Sequence, residues 1–497
     1  HHYNSKFGNN PSNENQALVL VPSVKGIFTS HYLDSSVLIK HTAVNQTGNT
    51  QNANKNYNDI SYKNQLTLLD KVLFINVDGG QSYRAVDLEQ SFVGDKILNP
   101  GRLVKLQQSS AGVNFKIPNP QYFGVNLQAL TSKSKSDGSS ENEDVGLDNE
   151  NLLYVGRLYQ GEQLQRISWD INYSYNKTNR TNFLDFEATS LNAYINANLY
   201  KEVGITLAGS SEENDIDTSS GGELRTTIDT TSHGVGVFWR NSPQRIISIT
   251  SNTLEEGENT TDFIGLNVQW AFSPRTDLRF VYGKRFFGDT FTLDFGHDVK
   301  RFRSNFRYGE VVSTFANTSA NTGGNGVFVC TIGATDLSEC FQPATLDYQL
   351  QAGEEFRDAF EISPDISEEV FLSKTGGFSV GYVARRFTAA ADLTYSNINY
   401  LESLRERKNL SLRLSLNYRL GRKVDVNIST AFAKNKFSDD GSSDRQDDIL
   451  TLNASVSKTL SKNLSISSTA TYLHRDSNFS INKRLDRRIS VSLEYKL

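Results

Sequence analysis

Between Leu410 and Thr430 the chain reads LSLRLSLNYRLGRKVDVNIST, with Leu410, Leu412, Leu414, Leu416 and Tyr418 on one side and Ser411, Arg413, Ser415 and Asn417 on the other. A period of two is the mark of a strand with one apolar face. Past Gly421, the residues Val424, Val426 and Ile428 alternate with Asp425, Asn427 and Ser429, which predicts a hairpin. The pattern returns at Leu450 to Ser457, Leu464 to Tyr472, Phe378 to Tyr382, Phe387 to Tyr395, Ile264 to Phe272, Leu278 to Tyr282 and Ile167 to Tyr175. It closes the chain in RRISVSLEYKL, where Ile489, Val491, Leu493, Tyr495 and Leu497 share a face.

Tight turns are predicted near Ser30, Asp70, Pro118, Gly161, Tyr200, Pro243, Pro274, Arg301, Arg385, Gly421 and Ser461, with longer polar connections between them. Short turns at one end and long loops at the other are the habit of transmembrane barrels, whose strands need only about ten residues, apolar toward lipid and polar toward the lumen. The expected fold is therefore all-β: a single large antiparallel transmembrane β-barrel of about 22 to 24 strands, with short periplasmic turns and long extracellular loops in a bacterial outer membrane. No apolar run reaches the roughly 18 residues of a spanning helix. No linker or repeat divides residues 1–497, so one domain is expected. The strand at Ala17 to Phe28 runs toward the periplasm and needs a rising neighbour before it, for which HHYNSKF is the expected upper end.

Composition agrees. The chain of 497 residues has 21 Tyr, 29 Phe and 35 Gly but only 9 Pro, a mixture suited to strands and turns. It contains no Met and begins without a charged or apolar leader, as expected of a mature or trimmed product. The net charge of −5 offers no basic field for nucleic acid. Charge is instead sorted by end. Arg275, Arg301, Arg385, Arg386, Arg422, Lys423 and Lys462 mark the short turns, while GSSENEDVGLDNE, SSEENDID, LEEGEN and SDDGSSDRQDD read as acidic outer loops.

The polar face of the strands predicts lumen-lining candidates: Asp170, Arg279, Arg285, Asp294, Asp392, Arg413, Asp425, Arg488 and Glu494. Both signs occur, so local ion pairs on a solvated wall are the plain reading and a substrate track the functional one. His31, His41, His233, His297 and His474 stand in no nucleophile setting, and no catalytic or metal-binding motif is present, so an enzyme is not expected. No cofactor is expected; Asp439, Asp440, Asp444, Asp447 and Asp448 are candidates only for Ca²⁺ or for bridging lipopolysaccharide through divalent ions, against the plainer reading of a hydrated loop. Cys330 and Cys340, in a polar segment, suggest a loop disulfide of an oxidising compartment.

A barrel this wide is generally plugged. No plug domain is evident, so loops, flattening or another protein must narrow it. The connection 313–364 is the longest and is expected to fold over or into the lumen, an outward cap at the cell surface being the alternative.

From Ser273 to Thr314, SPRTDLRFVYGKRFFGDTFTLDFGHDVKRFRSNFRYGEVVST resembles an outer-membrane β-barrel family associated with PEP-CTERM/exosortase and exopolysaccharide gene clusters. The Pro-Arg-Thr turn and the Tyr-Gly-Lys-Arg-Phe-Phe-Gly-Asp stretch carry the likeness. FFGD is expected to be a tight turn, with Gly288 supplying unusual backbone angles and Phe286 and Phe287 a girdle or packing position. The resemblance implies the outer-membrane step of polysaccharide export and brings no substrate residues; the barrel itself implies outer-membrane lipid and lipopolysaccharide around it, and periplasmic export proteins are expected as partners because a barrel has no energy source of its own. A passive porin for small solutes and a structural barrel acting through its loops are the alternatives.

Overall fold

A computed structural model describes residues 2–7, 13–48, 54–85, 103–136, 147–164, 166–217, 225–242, 244–315, 328–331, 340–341, 354–357, 366–403, 405–439 and 444–495. The strands are β1 (His2–Phe7), β2 (Asn13–Leu20), β3 (Ser23–Thr29), β4 (Leu33–Gly48), β5 (Asn54–Leu68), β6 (Leu73–Ala85) and β7 (Leu103–Lys116). There follow β8 (Phe123–Ser136), β9 (Leu147–Gln160), β10 (Ile167–Asn179), β11 (Phe186–Tyr200), β12 (Val203–Asp217), β13 (Arg225–Ser242) and β14 (Arg245–Glu256). Next come β15 (Asn259–Ser273), β16 (Thr276–Arg285), β17 (Gly288–Val299), β18 (Phe302–Ser313), β19 (Phe328–Thr331), β20 (Cys340–Phe341) and β21 (Glu354–Arg357). The last are β22 (Phe371–Val383), β23 (Phe387–Tyr400), β24 (Glu406–Arg419), β25 (Val424–Ser438), β26 (Arg445–Thr459), β27 (Leu464–Ser477) and β28 (Arg484–Tyr495).

Twenty-five of these form one antiparallel sheet. Because β2 and β3 follow each other along the same edge of β4, they are one stave, and the ring has 24. The break falls at Val21 and Pro22, where proline has no N–H to give β4. Between β18 and β22 the ring is continuous, and β19 to β21 form a separate small sheet. Every turn expected from Ser30 to Ser461 joins two strands at one end of the ring.

Closure follows the expected route. β1 pairs with β2 on one side and with β28 on the other, from His2 opposite Ile489 to Phe7 opposite Arg484. Among the described residues, Ser490 to Tyr495 pair with β27 alone. Leu497 lies outside the described residues.

The alternation sets the two surfaces. On β24 the outward Leu410 to Tyr418 series is exposed, Leu414 at 43%, as lipid contact demands. Aromatic residues collect toward the short-turn rim, where Trp239 and Trp270 lie 5.4 Å apart beside Arg245. This is the band and girdle of an outer-membrane β-barrel.

Two of the expected acidic loops are corrected, and with them the sorting of loop lengths. SSEENDID is no loop: it is the upper half of β12, polar on both faces because it rises above the apolar band, with Glu212 and Asn214 turned inward and buried. LEEGEN turns within Gly257 and Glu258, Gly257 adopting φ 59°, so this outer connection is tight. FFGD is the second tight outer turn, with Gly288 at φ 107° as expected. The end-by-end sorting of loop lengths therefore fails at two neighbouring hairpins.

Candidate functional site

All nine lumen candidates alternate with the exposed apolar residues and so lie on the inward face. They do not converge. Arg279 stands opposite Asp294, which also meets Arg307 at 3.7 Å. Asp392 stands opposite Arg413 and accepts from Ser379 Oγ at 2.6 Å. Arg157 Nε and Nη2 donate to Asp170 Oδ1 and Oδ2 at 2.9 and 2.6 Å. Asp425 is 3.4 Å from Arg419, Glu494 accepts from Ser465 at 3.3 Å, and Arg488 lies opposite Thr471. These are pairs between near neighbours around the ring, without a common focus.

Arg285 behaves differently. Its Nε donates to Glu212 Oε2 at 2.8 Å and its Nη2 meets Oε1 at 2.5 Å. Glu212 is on β12 and Arg285 on β16, four strands away, which on a gently curved wall is about 19 Å at ~4.8 Å per strand. Pairing registers explain how they meet. β15 pairs with β16 only as far as Leu266 opposite Tyr282, and β17 pairs with β18 only as far as Leu293 opposite Tyr308. Beyond those points the backbone of Gly283 to Thr292 pairs only within its own hairpin. The tip of β16 and β17 has left the wall and lies inside the ring.

The wall folds to meet it. An added Cβ at Gly236 would sit 1.9 Å from the Ile249 carbonyl oxygen, so only glycine lets β13 and β14 approach this closely. Across the same crease Arg240 of β13 bonds Ser168 of β10. Between the hairpin tip and the inner faces of β10 to β14 lies a cavity of about 460 Å³. Asn176, Asn192, Ser210, Ser232, Thr250 and Asn252 line it, with Tyr194 and the Glu212–Arg285 pair. Phe287 packs under the Arg285 guanidinium at 4.8 Å and near Lys374 at 5.8 Å, so of the two roles expected for this turn it serves packing.

A second device narrows the outer end. Most of 313–364 lies outside the described residues, but both roots of this connection, 313–315 and 366–370, are described. Phe315 and Ile366 are buried with Val104, Leu106 and Leu147 of β7 and β9, and Val370 with Phe186 and Ile216 of β11 and β12. Glu368 accepts from the backbone N–H groups of Asp148 and Asn182 at 3.1 and 2.6 Å. Arg180 Nη1 donates to the Glu368 carbonyl at 3.0 Å and to both oxygens of Glu402 at 2.7 and 2.9 Å. The roots thus reach over the mouth from β18 and β22 to the inward faces of strands well around the ring. Burial pushes the Glu402 carboxyl up to about 7, against the opposing pull of Arg180.

The acidic outer loops are similarly drawn into pairs. Asp447 is buried against Arg445 at 2.9 Å and Arg475 at 2.5 Å, and Asp439 meets Arg407 at 2.7 Å. Asp444 accepts from Ser438, and Asp440 lies outside the described residues. Among the described residues no group of three or more His, Cys, Asp or Glu is arranged to hold a metal ion. The backbone sets Cys330 directly opposite Cys340 in the β19–β20 register.

The sequence reading missed Glu212, Glu368 and Glu402. The alternation of Ser210, Glu212 and Asn214 with Ser211, Glu213 and Asp215 was a usable signal for the first. The other two act through connections, where periodicity is silent.

No family model matches the sequence, and no curated protein does. Solved structures are similar in shape. The FrpB iron transporter of Neisseria meningitidis (F3-3 variant) is 10% identical, with a TM-score of 0.43 over 100% of this chain and 82% of that one. A siderophore receptor, PirA, of Acinetobacter baumannii is 11% identical, with a TM-score of 0.43 over 97% and 80%. A mutant ferric enterobactin receptor of Pseudomonas aeruginosa is 11% identical, with a TM-score of 0.42 over 99% and 80%. At such scores the likeness transfers neither ligand nor mechanism.

Proposed function

We propose that this outer-membrane barrel is a conduit for the outer-membrane step of exopolysaccharide export. The observation that carries the reading is the character of the inner face. The cavity in the creased arc carries many hydroxyl and amide groups among apolar side chains, with the charge of Glu212 taken up by Arg285. Such a surface can exchange hydrogen bonds with successive sugar hydroxyls without holding any one tightly, which suits passage of a long polar chain. A barrel has no energy source of its own, so direction comes from periplasmic partners, for which the basic short turns around Arg385, Arg386, Arg422 and Lys423 supply a complementary surface. The family resemblance of the Ser273 to Thr314 segment points the same way. Deleting the gene is expected to abolish surface polysaccharide while leaving its synthesis intact; undiminished polysaccharide would end the proposal.

The mixed charge of the inner face also suits a passive porin. Planar-bilayer recordings separate the two: a steadily open, weakly selective pore in the isolated protein favours the porin, a closed or narrowly conducting one favours export.

A further inference from the structure

We propose that the cavity beneath the β16–β17 hairpin is a binding site for a neutral saccharide unit, a site that deepens the export reading and rests on it. Three features identify the ligand class. Set among apolar side chains such as Leu153, Phe263 and Phe291, its wall carries many groups that both donate and accept, such as Asn176, Asn192, Ser210 and Thr250, spaced along strands whose inward side chains recur every second residue. A sugar hydroxyl also does both, so each can be satisfied from two sides. Charge is balanced: the Glu212 carboxylate is bonded by Arg285, Glu310, also on the wall, faces Lys374 at 3.8 Å, and Lys284, the remaining charged lining residue, stands opposite Asp289 in the hairpin register. An anionic ligand would find no excess of cations and a cationic one no excess of carboxylates. Two buried acceptors on the wall, Asn176 Oδ1 and Glu310 Oε2, receive no hydrogen bond, and the ring of Tyr194 offers an apolar surface for the C–H face of a pyranose.

The volume, about 460 Å³, lies in the range of small-ligand pockets and accommodates a short oligosaccharide segment. The hairpin tip forms the lid. Because the backbone of Gly283 to Thr292 pairs with no strand outside its own hairpin, the lid is held by side chains, Arg285 on Glu212 and Phe291 stacked on Tyr308 at 4.2 Å, and can follow a chain moving beneath it.

Saturation-transfer NMR on the full chain in detergent, with maltohexaose as the neutral probe and an oligogalacturonate of equal length as the anionic one, tests the site. Transfer to maltohexaose is expected, weakened at least about tenfold in affinity by the double substitution Asn176→Leu and Asn192→Leu and unchanged by Ser415→Leu on the inner face of β24. Heat-modifiable gel mobility certifies that each variant is a folded barrel; should the double variant fail that check, Asn192→Leu alone is read instead. Maltohexaose binding that survives the cavity substitutions, tighter binding of the uronate, or no binding of maltohexaose would each overturn the assignment. Gene deletion with undiminished surface polysaccharide would instead remove the export reading and leave the measured saccharide site standing, so the two fail separately.

Discussion

The arc from β22 to β28 and the arc from β10 to β18 are built from the same alternating strands and use their inner faces differently. In the first, bonded charges are neighbours: Asp447 with Arg445 two residues away and Arg475 on the next strand, Asp392 opposite Arg413, and Phe437 between the guanidinium groups of Arg407 and Arg445 at 5.2 and 4.4 Å. The second has neighbour pairs too, such as Arg279 opposite Asp294, but among the described residues it alone of the two arcs adds partners three or four strands apart on its inner face, Arg240 with Ser168 and Arg285 with Glu212. Neighbour pairs stiffen a wall whose curvature is already set. Pairs across several strands exist only where the wall folds, so they mark where the barrel has stopped being a tube and become a site.

The harshest way to break the contrast is to fill the crease. Gly236→Leu would drive a side chain into the Ile249 carbonyl 1.9 Å away, whereas Gly421, in the smooth arc, has open space around its missing Cβ. The first substitution is expected to abolish the heat-resistant folded form on gels; Gly421→Ala should lie within about 0.5 kcal/mol of the parent. A Gly236→Leu barrel that assembles normally would mean the crease is not required.

Next in size is a charge on the lipid face of the smooth arc. Leu414, 43% exposed near the middle of β24, faces hydrocarbon, and Leu414→Arg is expected to cost about 2–4 kcal/mol. The inward neighbour Ser415→Arg should cost close to nothing. Equal losses measured by reversible unfolding into denaturant would show that the two faces are not chemically distinct.

These two experiments also divide what the sequence discloses from what it hides. The wall was readable because membrane strands obey a strict period: the turns from Ser30 to Ser461 and the inward side of Asp170, Arg279 and Asp392 all follow from alternation. The inward hairpin was not, although its residues carry the family resemblance. Alternation continues through Phe280 and Tyr282 whether or not their strand keeps its neighbours, and the departure is decided by Glu212, 73 residues away in sequence. Glu212 itself sat in a run acidic on both faces, which composition alone reads as loop.

A smaller effect tests the latch. With Glu212→Ala or Arg285→Ala the hairpin tip loses its anchor in the creased arc. Single-channel conductance is expected to rise a few-fold, and Arg285→Ala, which leaves the buried Glu212 carboxylate without its cation, is expected to cost more stability than Glu212→Ala. Asp392→Ala, its counterpart in the smooth arc, should leave conductance unaltered. If both arcs respond alike, the crossing pair has no special role.

The smallest expected effect is a pH dependence at the mouth, where the creased arc meets the roots of the long connection. Glu402 has an ordinary value of 4.5 and is raised to about 7 in the folded protein, burial outweighing the favourable pull of Arg180. The folded mouth therefore binds this proton more tightly than the unfolded chain does. Its contribution to stability is complete below about pH 4.5, declines as the pH rises, and is lost once the pH passes through 7. The Val370 amide reports it directly, because it donates to Glu402 Oε2 at 3.1 Å. Hydrogen exchange corrected for intrinsic rates should show Val370 less protected at pH 8 than at pH 5.5, with the difference removed by Glu402→Gln. The Leu420 amide, bonded to the Val424 carbonyl at 3.0 Å in the smooth arc, has no carboxylate partner and serves as the control. Protection of Val370 that instead rose with pH would mean that attraction to Arg180 outweighs the cost of burying the carboxylate, and that the mouth is locked by charge where the rest of the crease is held by shape.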